Sequence, residues 1–326
     1  MLHKGNIRRE TSYQRQDLTL ESGSDNATVP RRRSPLTVEV FVPTISRPTL
    51  ALTLKSLDEQ TFKDYTLRLD KGDEQALDKT LKMARESAAD LVAICEDDAE
   101  FPPTWLEDLL TFFDLPKTGF AGGPMIPLVT GSSTKTERAA AFVSQSFFGS
   151  LWMSRRSKDG VFAEERTETG LVAVGVYRRS VLLSVLEEGW GKIPTGAWET
   201  YVFTRMREIG YSTLFVPGGR FYHAPRSSFR QLARQAYRSG VGRMAVFRSR
   251  PKMALRVGSI VLPLFAVAYF IEASSHAFYW PAVMYLGLVF IAGGFDPWNF
   301  AALITVHFSY TAGLLVGIVK RDVKWT

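Results

Sequence analysis

Two regimes of apolar and polar patterning follow one another along this chain. From residue 36 to 219, short apolar runs are separated by amphipathic stretches; from residue 257 to 319, nearly every position is apolar. In the first regime Val38–Val42 (VEVFV) is β-branched and aromatic, which predicts a strand ending at Pro43. Leu50–Glu59, opened by the Ser46-Arg47-Pro48 turn, predicts a helix. Tyr65–Leu69 predicts a second strand that ends at Asp70, and Gln75–Ala89 a second helix. Leu91–Cys95 predicts an apolar strand running into Glu96-Asp97-Asp98. Pro103–Phe113 predicts a helix with proline in its first turn, where a missing N–H costs little. Gly119–Ile126 predicts one more strand. Strands alternating with helices predict an α/β domain with a mostly parallel sheet and helices on both faces. Ligands of such sheets bind beyond the carboxyl ends of the strands, where Asp70 and the 96–98 run fall.

In the second regime, Val257 to Val319 holds two acids, Glu272 and Asp296, and no Lys or Arg. A helix that crosses a bilayer needs about 20 apolar residues. The stretches beginning at Ala277 and Trp298 are long enough; Val257–Ile271 is shorter and is followed at once by Glu272 and His276. No polar face repeats at helical spacing, so two or three transmembrane or re-entrant helices are expected over 257–319, not a buried helical core. The arginines before Val257 place that end on the cytoplasmic side, and Lys320, Arg321 and Lys324 of a short basic tail (320–326) ask for the same side. Three full spans cannot satisfy both ends, so the number of spans stays open.

Charge sharpens these boundaries. The formal net charge is +7. Residues 1–35 carry seven basic and four acidic side chains and no apolar segment, which predicts a disordered basic arm and not a signal peptide. Residues 220–256 carry ten basic side chains and no acid, which predicts a basic, amphipathic, membrane-proximal segment. The body between them, residues 36–219, is left at −6. An acidic body with a basic band is not the layout of a nucleic-acid binder, so no nucleic-acid partner is expected. A hydrophobic content of 45% and a single cysteine, Cys95, exclude wholesale disorder and a disulfide scaffold.

Three groups of residues carry candidate chemistry. Glu96, Asp97 and Asp98 are adjoining carboxylates at a strand end, with no basic neighbour in sequence. Such a group suits a hard cation, Mg²⁺ or Mn²⁺, shared with substrate phosphates; the alternative is a solvated loop that favours the start of the following helix. Arg226, Arg230, Arg234 and Arg238 recur every four residues and share one helix face, where like charges call for a diphosphate, a lipid-linked phosphate or anionic headgroups. A merely solvated basic face is the alternative there, as a turn-forming role before Lys71-Gly72 is for Asp70.

From Val38 to about Arg256 the chain resembles glycosyltransferase family 2, inverting enzymes of the GT-A fold. The resemblance is carried by VFVPTISRP, RLDKGD, LVAICEDDAEFPPTWLEDLL, GFAGGPMIP, GAWETYVFTRMREIGY and RFYHAPRSSFRQLARQAYRSGVGR, in the family's order. With the apolar C-terminus, the chain looks most like membrane-attached enzymes of the succinoglycan exopolysaccharide type and related archaeal surface-glycan enzymes. The resemblance implies a GT-A catalytic domain over 36–219. It makes Asp98 a metal ligand of a DXD-type motif, with Asp97 and His223 in the metal shell. Glu96 stands where many relatives carry Asp, and with Asp97 it would serve the metal shell and ribose. Pro43, Thr44 and Arg47 would meet the nucleotide, and Asp70 would read the edge of the base. Glu199, beside Trp198, would take the place of the catalytic base. Arg226, Arg230, Arg234, Gln235 and Arg238 would face the diphosphate or acceptor, with Gln235 and Arg238 echoing a Q-x-x-R element.

The function so implied is transfer of a sugar, with inversion, from a nucleotide-diphosphate donor to a lipid-linked saccharide at the membrane, with Mg²⁺ or Mn²⁺ as cofactor. Two alternatives are a polyprenyl-phosphate glycosyltransferase and a non-catalytic membrane scaffold that only binds a sugar nucleotide. Membrane lipids are expected partners, and the catalytic domain is expected on the cytoplasmic side of the cell membrane.

Overall fold

The computed structural model describes residues 36–72, 74–150, 165–166, 172–189, 196–249 and 280–319. The expected basic arm (1–35), the first apolar stretch (257–271) and the basic tail (320–326) lie outside those residues.

The chain runs β1 (Val38–Thr44), α1 (Leu50–Asp58), β2 (Tyr65–Lys71), α2 (Ala76–Glu86), β3 (Leu91–Ile94), β4 (Ala99–Glu100) and α3 (Trp105–Leu110). It continues through β5 (Thr118–Gly122), β6 (Met125–Pro127), α4 (Lys135–Gln145), α5 (Phe147–Ser150), β7 (Glu165–Arg166), β8 (Gly175–Arg178), α6 (Arg179–Gly189) and α7 (Trp198–Glu208). Then come β9 (Ser212–Phe215), β10 (Phe221–His223), α8 (Phe229–Ser249), α9 (Trp280–Ala292) and α10 (Pro297–Val319).

Seven strands form the main sheet in the order β2-β1-β3-β8-β5-β9-β7. β1 runs parallel to β2 and β3, as the alternation predicts. Beyond β3 the sheet is mixed: β8 runs antiparallel between β3 and β5, β5 and β9 are parallel, and β7 is antiparallel to β9. The predicted strand over 119–126 is two strands, because Pro124 has no N–H to continue the ladder. β6 instead joins a small second sheet, β4-β10-β6. The predicted helix over 103–113 is α3 followed by a 3₁₀ turn at Thr111–Asp114.

Successive side chains of a strand point to opposite faces, and both faces here are covered, so the central strands are apolar at nearly every position; Glu39 of β1, 3.8 Å from Arg68, is an exception. Val38, Val40 and Val42 of β1, with Leu91 and Ala93 of β3, pack against Leu57 of α1 and Trp105, Leu106 and Leu109 of α3. Phe41, Val92 and Ile94 point to the opposite face and pack against α2, α6 and α7. Burying both faces in this way fixes the register, since a one-residue slip would exchange the two cores.

α8 lies against α10, with Gly240 and Gly313 at the contact. A Cβ at Gly240 would come within 2.2 Å of the Tyr310 carbonyl oxygen, and one at Gly313 within 2.1 Å of that of Tyr237, so only glycine permits this approach. A further core joins Ala139, Ala140 and Val143 of α4 to Leu232, Val289, Ala302 and Leu303. Among the described residues α10 is the one helix long and apolar enough to cross a membrane; α9, of 13 residues, is shorter. Both present apolar side chains outward, among them Met284, Leu288, Ile291, Phe308 and Val319. The basic segment expected to begin at residue 220 starts inside the α/β body, because β10 is the middle strand of the second sheet.

Candidate functional site

The acidic run lies where the sheet predicts a ligand, just past the end of β3. Its turn is held by a polar stripe that runs from Thr49, at the N-cap of α1, to Gln60, just past the end of that helix. Thr49 Oγ1 donates to the Asp97 carbonyl (2.9 Å) and Thr53 Oγ1 to that of Ala99 (2.7 Å). Phe101 N donates to Ser56 Oγ (3.1 Å), and Gln60 Nε2 donates to the Pro102 carbonyl (2.8 Å). Thr49, Thr53, Ser56 and Gln60 recur at helical spacing. Acids and histidines draw the eye past them; the signal available was a stripe of uncharged polar residues on a helix whose other polar positions, Lys55, Asp58 and Glu59, are charged.

His223 reaches the turn through pairing of the second sheet, where it stands opposite Ala99, and Ala224 N donates to the Asp98 carbonyl (3.0 Å). His223 Nε2 lies 2.9 Å from Glu96 Oε2 and 3.1 Å from Asp98 Oδ1. Arg47 pairs with both Asp98 Oδ2 and Asp97 Oδ1, and Arg226 lies 3.6 Å from Asp98 Oδ2. Asp97 turns the other way from Glu96 and Asp98: its Oδ2 accepts from Thr44 Oγ1 (2.7 Å) and from Ile45 N (3.3 Å). The group that converges is therefore Glu96, Asp98 and His223, with Asp97 engaged by the loop after β1 in place of the metal-shell position expected for it. That loop carries Ser46 at a left-handed φ of 61°, a conformation a serine holds only under constraint.

Burial alone would raise the Asp98 carboxyl, but His223, Arg47 and Arg226 outweigh it and hold it at about 2. Burial alone would lower His223, but Asp98 and Glu96 outweigh it and push it up to about 9. The run has no basic neighbour in sequence, but the fold supplies basic neighbours in space. The neighbours arrive from 51 residues upstream and from the segment after β10.

Two features test whether these residues suit a divalent cation. Asp98 Oδ1 is buried and accepts no well-directed hydrogen bond; it faces the His223 ring nitrogen at 3.1 Å, which leaves it open to a cation. The ligand atoms of Glu96, Asp98 and His223 all lie within 4.8 Å of one another, close enough to share one ion. Two carboxylates and one imidazole fit Mn²⁺ or Mg²⁺ chemistry.

The remaining expected residues are distributed as follows. Asp70 is the last residue but one of β2, opposite Pro43, with its carboxylate 3.6 Å from Lys82 Nζ. Glu199 lies in the first turn of α7. The Tyr177 hydroxyl is pushed well up by burial, and then by Glu199 and Glu96. Trp198 is buried in the main core with Val202 and Phe203. Gln235 Oε1 accepts from Arg226 Nε (3.3 Å), while Arg230, Arg234 and Arg238 stand exposed along α8.

Among solved structures the chain is similar to the mannosyltransferase PcManGT from Pyrobaculum calidifontis in complex with GDP-Man and Mn²⁺. The identity is 16%, 87% of each chain is covered, and the TM-score is 0.57. The fold is a glycosyltransferase fold. At this identity the likeness is one of architecture. No family model matches the chain, and no curated protein does.

Proposed function

We propose that this protein is a metal-dependent inverting glycosyltransferase of family 2. It moves a sugar from a nucleotide-diphosphate donor to a lipid-linked saccharide at the cytoplasmic face of the cell membrane. The observation that carries the reading is the convergence of Glu96, Asp98 and His223 at the end of β3, within a glycosyltransferase fold.

Glu96, Asp98 and His223 would hold the cation, which when bound neutralises charge developing on the departing diphosphate. Arg47 and Arg226, already beside Asp98, supply fixed positive charge to the same phosphates. The Thr44 loop and Asp70 border the nucleotide. Glu199 accepts the proton of the acceptor hydroxyl. That oxygen bonds to the anomeric carbon as the bond to the diphosphate breaks, so the anomeric centre inverts. The α8 arginines face acceptor phosphate or anionic headgroups, and α10 anchors the enzyme.

The test is a screen of sugar nucleotides against a membrane lipid extract with the purified full chain, following nucleoside diphosphate release with Mn²⁺ present and chelated. Metal-dependent release that requires lipid supports the reading. Binding without turnover of any sugar nucleotide turns it over in favour of a scaffold. Turnover on polyprenyl phosphate alone, with Glu199 dispensable, would assign the enzyme to polyprenyl-phosphate transfer; the exposed arginine face beside an apolar helix is what favours that second reading.

A further inference from the structure

Lys79, on α2, is one of the most deeply buried charged side chains among the described residues, at 2% exposure. A buried ammonium normally pairs with a carboxylate. Among the described residues none lies within ion-pair distance of it; its Nζ donates instead to three backbone carbonyls, of Thr44 (2.9 Å), Asp70 (3.1 Å) and Gly72 (2.8 Å). Those contacts use all three donors of the ammonium.

The three carbonyls come from the carboxyl ends of β1 and β2 and the turn that follows β2. Parallel strands lose their ladder partners at such ends, and the carbonyls left over need donors. Water could serve them on an ordinary edge. Here one cation ties both ends together, reinforced by Gly72 N donating to the Thr44 carbonyl (3.3 Å). Thr44 in turn passes the constraint on: its hydroxyl donates to Asp97, and Ser46 N donates to that hydroxyl at 2.8 Å. One turn further along α2, Lys82 reaches the Asp70 carboxylate. The helix thus holds Asp70 twice, by backbone and by side chain.

We propose that Lys79 is a positioning residue for the base end of the donor. Its buried ammonium sets how the Thr44 loop and Asp70 stand to each other, and so whether a nucleoside fits between them. The inference rests on the donor reading above and adds to it the element that shapes the nucleoside subsite. Because Lys79 lies on the side of β1 and β2 and not among the metal ligands, its removal should affect the nucleoside and spare the diphosphate end.

The test measures calorimetric affinities of the full chain, with Mn²⁺, for GDP, UDP and inorganic pyrophosphate, in wild type, Lys79→Met and Lys79→Gln. The expected result is a loss of about tenfold or more in the better nucleoside diphosphate for Lys79→Met. Pyrophosphate affinity should be unchanged, and Lys79→Gln, which keeps two donors, should fall between. Equal loss for both ligands, or loss for neither, overturns the inference while the donor reading stands. Wild-type protein that binds neither GDP nor UDP overturns both. If both variants lose the fold by circular dichroism, Lys79 is a structural residue only and the inference is overturned.

Discussion

At the end of β3, Asp97 and Asp98 are buried, and each is met by a cation from a distant part of the chain: Arg47 for both, His223 and Arg226 for Asp98. Along α8, Arg230, Arg234 and Arg238 stand exposed at four-residue spacing, and among the described residues no acid pairs with them. The first region is balanced from within, as burial requires, because an unpaired charge there would be expensive. The second leaves its like charges to solvent or to a ligand. Balance within the pocket shows that Asp98 can be kept ionised without a metal. The unanswered arginines mark where an outside anion would be favoured.

The comparison breaks first at Asp98. Asp98→Ala should reduce sugar transfer to the limit of detection and remove calorimetric Mn²⁺ binding, with circular dichroism unchanged. A variant that still transfers would show the pocket to be a structural ion-pair cluster. Next, Glu199→Gln should lower turnover by on the order of 10³-fold, within the range for a lost general base, with donor affinity intact. An unchanged rate would remove Glu199 from the chemistry. Replacing Arg230, Arg234 and Arg238 together by Gln should raise the apparent KM for a lipid acceptor by on the order of 100-fold at low salt, at about 1 kcal/mol for each charge near an anionic surface. Saturated turnover should be unaffected, and an unmoved KM would make the α8 face merely solvated. The smallest effect is the one with the most telling sign. Arg47 pairs with Asp98 Oδ2 and its charge opposes a cation at Oδ1 of the same carboxylate, so Arg47→Ala should tighten Mn²⁺ binding in the absence of nucleotide by about tenfold. Weaker binding would mean that Arg47 supports the metal site and does not compete with it.

Much of the body was legible because alternation is a local property. VEVFV and LVAIC declare both faces of buried strands, and Asp70 and Asp98 fall, as expected, near the carboxyl ends of β2 and β3. What could not be read was long-range. Arg47 is 51 residues from Asp98, and His223 comes to it through pairing of a three-residue strand. Which acid of the run turns inward also depends on Thr44 and Ile45, so Asp97 was expected beside the metal and stands instead against the β1 loop. The mixed sheet escaped for the same reason, since strand direction depends on connections and not on the strand's own residues. The polar stripe of α1 and the buried Lys79 look from sequence like ordinary surface positions of amphipathic helices.

The glycine contact between α8 and α10 bears on reach. Were α10 to lie in the bilayer, as proposed above, two backbones locked at van der Waals distance would allow little sliding or tilting, and the proposed site would stand at a set height above the lipid surface. A rigid stand-off of this kind would select acceptors by the length of glycan between lipid and reacting hydroxyl. Bulkier residues at Gly240 or Gly313 would then blur the spectrum of chain lengths the enzyme accepts, a trait visible in product profiles and not in rates.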